Sequence, residues 1–240
     1  MMCLLPRVLL CVLLALGILG CAVATQPAEQ ASAAGASPSP GAPAQQQPSE
    51  DIERATSPPY SGSLSTFEDQ NREQKLQVNR VMDVLSIKEG SNVADIGAGS
   101  GWFTVRAARR VGNGGLVYAV DINSDYLKYI EKRAKRTKLE NIRAIQGKQD
   151  DPVLPRQSVD AVLLLKTYHE VTQPIRLLKR IREAMRAGAL LGIIDRNGKG
   201  DDHGIDQEVV IKEAERAGFV LVGQHDFVKP DDVDYFLVFK

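Results

Sequence analysis

The run VADIGAGSG, Val93 to Gly101, followed by VYAVD ending at Asp121, decides the fold. It reads as a buried strand, a glycine turn, a helix and a second strand tipped by an acid. That is the opening βαβ unit of a nucleotide-type α/β fold, and in such sheets the ligand lies beyond the carboxyl ends of the strands. Gly97, Gly99 and Gly101 are spaced G-x-G-x-G. A dinucleotide fingerprint, G-x-G-x-x-G, needs its third glycine one place further on, where this chain has Trp102. Asp95, two residues ahead of the first glycine, suits a ligand bearing an ammonium group better than a pyrophosphate. Asp121 at the second strand tip is placed to accept hydrogen bonds from ribose hydroxyls.

These residues resemble motif I and the following acidic motif of the class I S-adenosylmethionine (SAM) dependent methyltransferases. The resemblance implies that the glycine turn passes beneath the cofactor's methionine and ribose portions. It implies that Asp95 holds the amino group and that Asp121 binds both ribose hydroxyls.

Working outward, Val78, Val81, Met82 and Leu85 mark one face of a leading helix at i, i+3, i+4, i+7 spacing. Strands are expected at 92–96, 116–120, 142–146, 159–165 and 189–194. The fourth is apolar at almost every position after Asp160, as a strand buried on both faces should be. Helices are expected up to Val111, after an Asn123 cap, from Pro174 to a stop at Gly188, and ending at Gly218. Phe219 to Val222 and Tyr235 to Phe239 read as a terminal hairpin. The expected fold is therefore α/β: a Rossmann-like, seven-stranded class I methyltransferase sheet with helices on both faces and a terminal antiparallel hairpin. The expected domain runs from residue 60 to 240.

The first 20 residues, MMCLLPRVLLCVLLALGILG, read as a signal peptide: Arg7, then a short apolar stretch from Val8 to Leu19. Leu19-Gly20-Cys21 resembles a bacterial lipobox, which implies cleavage before Cys21 and its lipidation. An uncleaved signal anchor is the rival. Residues 21–59 read as a lipidated cysteine and a disordered tether, because Ala22 to Pro59 carries seven of the twelve prolines and few large apolar residues. The expected location is a bacterial cell envelope, membrane-anchored and facing the periplasm or exterior. All three cysteines, Cys3, Cys11 and Cys21, precede the domain, which excludes an internal disulfide, a thiolate metal site and a cysteine nucleophile there. Thirty basic against thirty acidic residues give no electrostatic case for a nucleic-acid partner.

Site candidates follow the strand ends. After the third strand, Gly147-Lys148-Gln149-Asp150-Asp151 is where the resemblance places the adenine. Many relatives have an acid directly after the glycine, where Lys148 stands here, so Asp150 and then Asp151 are the adenine candidates. After the fourth strand, His169 is a candidate base on the substrate side, since an imidazole titrates near neutrality. After the fifth, Asp195 sits at the strand tip before a polar loop that includes His203. No tight ligand spacing supports a metal.

The function these readings imply is SAM-dependent transfer of the sulfonium methyl, by in-line displacement, to an unidentified small-molecule or protein acceptor. The alternative is an exported, non-catalytic protein that binds SAM or another adenosyl ligand on the same fold. A nicotinamide oxidoreductase is disfavoured by Trp102.

Overall fold

The computed structural model describes residues 53–199, 202–229 and 233–240. The signal-peptide and Cys21 expectations, and most of the tether, lie outside them. Among the described residues no helix is long and apolar enough to cross a membrane.

Seven strands form one sheet: β1 (Asn92–Ile96), β2 (Leu116–Asp121), β3 (Ile142–Gln146), β4 (Val159–Leu165), β5 (Met185–Arg196), β6 (Leu221–His225) and β7 (Asp234–Phe239). The order is β3-β2-β1-β4-β5-β7-β6, with β1 to β5 parallel and β7 antiparallel to both neighbours. The helices are α1 (Arg72–Leu76), α2 (Val78–Val84), α3 (Trp102–Val111), α4 (Ser124–Thr137), α5 (Pro174–Ala184) and α6 (Gln207–Arg216).

The period-two alternation of strand side chains sorts the core into two layers. Ala94, Ile96, Val162, Leu164, Leu191 and Ile193 pack with Leu178 and Ile181 of α5 and with Val210 and Ala214 of α6. Val93, Ala161, Leu163 and Ile194 pack on the other face, with Val81 and Met82 of α2 and Phe103 and Ala107 of α3. Asp95, one step from Ala94, therefore points toward α3. Parallel strands bring all five carboxyl ends to one edge, and the order reverses between β1 and β4, which opens a crevice there.

The leading helix expected on Val78 to Leu85 is α2; ahead of it, Gln77 in a left-handed conformation (φ 46°) terminates the separate short α1. Two boundaries differ from the sequence reading. The helix from Pro174 stops at Ala184 rather than at Gly188, because β5 begins at Met185 by pairing with Val159. The strand expected from Phe219 begins at Leu221. Packing against the domain also starts before Tyr60: Ser57 is buried, and the Arg54 backbone N–H donates to the Thr172 carbonyl.

Candidate active site

A cavity of about 600 Å³ lies at the carboxyl ends of the parallel strands, a size usual for a small-molecule site. Its floor is the turn after β1. Gly97, Gly99 and Gly101 all have positive φ (72°, 53° and 72°), which costs an L side chain but not glycine. Space demands glycine as well. A Cβ on Gly97 would lie 2.3 Å from the Thr167 side chain, and one on Gly101 would lie 3.0 Å from Ile130 of α4. The turn is thus pressed between the β4 loop and α4.

Asp121 closes the turn. Its carboxylate accepts from the Gly99 backbone N–H at 2.8 Å and from the Asn123 N–H at 2.9 Å. Burial nevertheless raises its pKa, against the backbone N–H donors of Asn123, Gly99 and Ile122. A carboxylate has roughly four acceptor positions, so capacity remains for a donor from the cavity. Asp95 is only 2% exposed, and its single hydroxyl partner, Thr104 of α3, donates at 2.5 Å. Burial pushes its pKa up to about 6, against the opposing effects of Thr104 and the Arg72 guanidinium.

The segment ahead of α1 forms a wall. Tyr60 and Phe67 meet edge to face at 5.1 Å, and both line the cavity. Arg72 lies 4.7 Å from the Trp102 ring centroid and Arg106 lies 3.8 Å from it, so the indole is flanked by two guanidiniums. Trp102 itself is buried at the start of α3 and lines the cavity.

The opposite wall comes from the β4 and β5 loops. A short 3₁₀ turn, Tyr168–Glu170, carries His169. Asp195, fully buried at the tip of β5, accepts from the His169 backbone N–H at 3.0 Å and pairs with its Nδ1 at 2.9 Å. Donation from Nδ1–H to that carboxylate leaves Nε2 as the ring's basic nitrogen. Nε2 lies 3.9 Å from Glu170 Oε1. Burial pulls the imidazole pKa down, but the hydrogen bond and charge of Asp195, helped by Glu170, hold it above its ordinary value. The His203 ring stands edge to face with His169 at 6.0 Å, and Lys166 and Arg196 complete this end of the cavity. Asp234 pairs with Lys166.

The structure brings Asp95, Gly97, Gly99, Asp121 and His169 to one cavity, with Asp195 directly behind His169; Gly101 lies just outside its lining, packed against Ile130 of α4. It does not bring Asp150 and Asp151 there. Asp150 pairs with Arg176 at 2.9 Å, and the Asp151 carboxylate caps the Val153 N–H at 2.8 Å. The Lys148 and Asp151 backbones pair across this loop, which turns both carboxylates away and leaves Lys148 and Gln149 facing the cavity. Sequence reasoning gave no role to Arg196, and it treated Arg54 and Ser57 as tether. No periodicity or motif singles out either residue. Among the described residues no cluster of three or more potential metal ligands exists.

Residues 93–188 match a family described as a methyltransferase domain. A demethylmenaquinone methyltransferase of Listeria welshimeri is 25% identical over 114 residues, which are 48% of each chain. The chain thus spans about half the length of the curated relatives it matches. A SAM-dependent methyltransferase of Aquifex aeolicus superposes with a TM-score of 0.67 at 22% identity, covering 73% of this chain and 95% of that one. Fibrillarin of Aeropyrum pernix, solved with natively bound SAM, superposes with a TM-score of 0.56 at 16% identity, covering 71% and 76%. The domain shares the fold of these methyltransferases, a Rossmann-like, seven-stranded mixed sheet with helices on both faces.

Proposed function

We propose that this protein is a SAM-dependent methyltransferase acting on an acceptor that gives up a proton to His169. The observation that carries the reading is the pair of desolvated carboxylates, Asp95 and Asp121, on either side of a glycine turn that only glycine can form. Both are kept in an environment that disfavours their charge, which fits a cavity built to receive a cationic, hydroxyl-bearing ligand. Asp121 would hold the ribose hydroxyls with its remaining acceptor capacity. Asp95 would face the amino group, and Gln149 and Lys148 replace Asp150 and Asp151 as candidates for the adenine end. When bound, SAM supplies an electrophilic methyl on a sulfonium that leaves as a neutral sulfide.

The rest of the chemistry belongs to the chain. The two walls exclude water and align the acceptor, which is the main contribution a protein makes to such a displacement. His169 accepts the acceptor's proton at Nε2, and Asp195 fixes the tautomer and stabilises the imidazolium. An acceptor with no proton to lose would leave this pair idle, so hydroxyl, amine or acidic C–H nucleophiles fit best. Within the same reading, residues 1–20 direct export, Cys21 is lipidated, and the domain works at an envelope membrane. Because SAM is a cytoplasmic product, that location favours a second reading, a binding protein without turnover.

Titration calorimetry of the protein with SAM, S-adenosylhomocysteine and NAD, beside an Asp121→Ala variant, tests the cofactor. Binding of both sulfur ligands, lost in the variant and absent for NAD, is expected. No binding of either sulfur ligand refutes the reading. Methyl transfer from radiolabelled SAM to a panel of phenols, amines and carboxylates then separates enzyme from binding protein.

A further inference from the structure

The expected tether does not stop at the domain surface. Its last residues, from Glu53 to Pro59, and Tyr60 after them run along the wall that carries His169 and are tied to it repeatedly. The Arg54 side chain donates to the Tyr168 carbonyl at 2.6 Å and to the Val171 carbonyl at 2.9 Å, bracketing the turn that holds His169. The same guanidinium pairs with Glu213 of α6 at 2.7 Å, each side chain only 13% exposed. Glu213 also accepts from the Tyr168 hydroxyl at 2.8 Å, and Tyr168 is fully buried. The Arg54 guanidinium lies 5.1 Å from the Tyr168 ring centroid. Further along, Ser57 Oγ accepts from the His203 backbone N–H at 3.1 Å, and the Tyr60 N–H donates to Glu170 Oε1 at 3.0 Å. Three successive points on the strap therefore hold the His169 turn, the His203 loop and the Glu170 carboxylate.

Such a network is costly to build by chance. Glu213 is buried, and burial raises its pKa against the pull of Arg54 and Tyr168. The Arg54 Nε is buried with no partner among the described residues. Removing one member of a buried hydrogen-bonded charge group leaves the others uncompensated. A planar guanidinium reaches three acceptors at once, which an ammonium cannot do in the same geometry.

We infer that residues 53–60 are a structural part of the acceptor half of the site, with Arg54 a positioning residue that sets the His169 turn through the Tyr168 and Val171 carbonyls. The inference rests on the assignment of His169 to the acceptor side. The groups facing His169 are Asp195 from β5, Glu170 and Lys166 from its own loop, and His203 from the loop before α6. Arg54 touches none of these charges except through the backbone it holds, so its effect on His169 is geometric.

The test uses the full chain and does not require the acceptor. Arg54→Ala and Arg54→Lys are compared with the unchanged protein by NMR titration of the imidazole resonances, which three histidines make assignable, and by calorimetry with S-adenosylhomocysteine. Expected is a His169 titration that moves down toward the ordinary imidazole value, as its Asp195 contacts loosen. The His225 ring, packed against Phe227 and Phe236 away from the strap, serves as the reference resonance. Ligand affinity should stay within about twofold, because Arg54 shares no hydrogen-bond partner with the glycine turn. Arg54→Lys keeps the charge beside Glu213, so it remains folded even if Arg54→Ala does not, and it should still show the shift. An unchanged His169 titration in a folded Arg54→Lys protein overturns the inference. Loss of ligand binding in the unchanged protein overturns the cofactor assignment instead and leaves the His169 readout standing.

Discussion

Asp95 is the group whose replacement has the most calculable consequence. Burial lifts its pKa from 3.8 to about 6, so the folded ligand-free domain resists its ionisation. For a carboxylate whose folded pKa lies above its unfolded value, stability is highest below the unfolded pKa and declines as pH rises through the folded one. The full penalty is about two pH units at about 1.4 kcal/mol each, or ~3 kcal/mol above pH 7. With these two pKa values, about half of it, ~1.4 kcal/mol, develops between pH 5 and pH 8. Asp95→Asn removes the charge, and its carboxamide oxygen can still accept from Thr104. The variant should therefore be more stable than the unchanged protein, and more so at pH 8 than at pH 5. A gain of that size corresponds to roughly 3–6 °C of extra midpoint temperature for a domain this large. Thermal unfolding without ligand at both pH values measures it. S-adenosylhomocysteine affinity at pH 8 should fall in the same variant, since the stored charge is what the ligand's ammonium meets. Equal stability differences at the two pH values, or a variant less stable than the unchanged protein at pH 8, refute the reasoning.

Other outcomes follow from the same geometry. Gly97→Ala places a Cβ at positive φ and 2.3 Å from Thr167; it should cost about 2–4 kcal/mol in chemical denaturation and abolish S-adenosylhomocysteine binding. His169→Asn and Asp195→Asn should each lower turnover about 10²–10⁴-fold once an acceptor is found, while S-adenosylhomocysteine affinity holds. With His169 held above its ordinary pKa by Asp195, turnover should rise with pH through a midpoint above about 6.5, and Asp195→Asn should move that midpoint down. Stability carries the opposite sign for this residue. The histidine's contribution is complete below the unfolded imidazole pKa and is lost as pH rises through the folded one.

The glycine turn and its two acids were legible because their constraints are largely local. Gly97, Gly99 and Gly101 are dictated by their backbone angles, and Asp95 and Asp121 by the ends of two adjacent strands. Those signals lie close to the positions they specify, whereas the approaches of Thr167 to Gly97 and of Ile130 to Gly101 come from distant segments. The acceptor half was only partly legible. His169 was found from its place after β4, but its dependence on Asp195 spans 26 residues and two strands. At the adenine end of the cofactor half, Asp150 and Asp151 were chosen for being acids in the right loop. The turn that pairs Lys148 with Asp151 is not marked by glycine or proline at its centre, so the outward rotation of both carboxylates left no trace in the sequence. Arg54 was hidden in another way. It sits among alanine, proline and serine residues that cannot form a core, and its role comes from carbonyls more than a hundred positions away.

Trp102, which displaced the dinucleotide reading at the start, is the chain's single tryptophan. It is buried in the wall of the proposed cofactor cavity between two guanidiniums. All indole emission from this protein therefore originates at one site, beside cations that influence it electrostatically. The molecule carries its own optical probe. A ligand entering the cavity alters the surroundings of that one fluorophore, so occupancy can be followed in unlabelled protein by emission intensity and wavelength, before any acceptor is known.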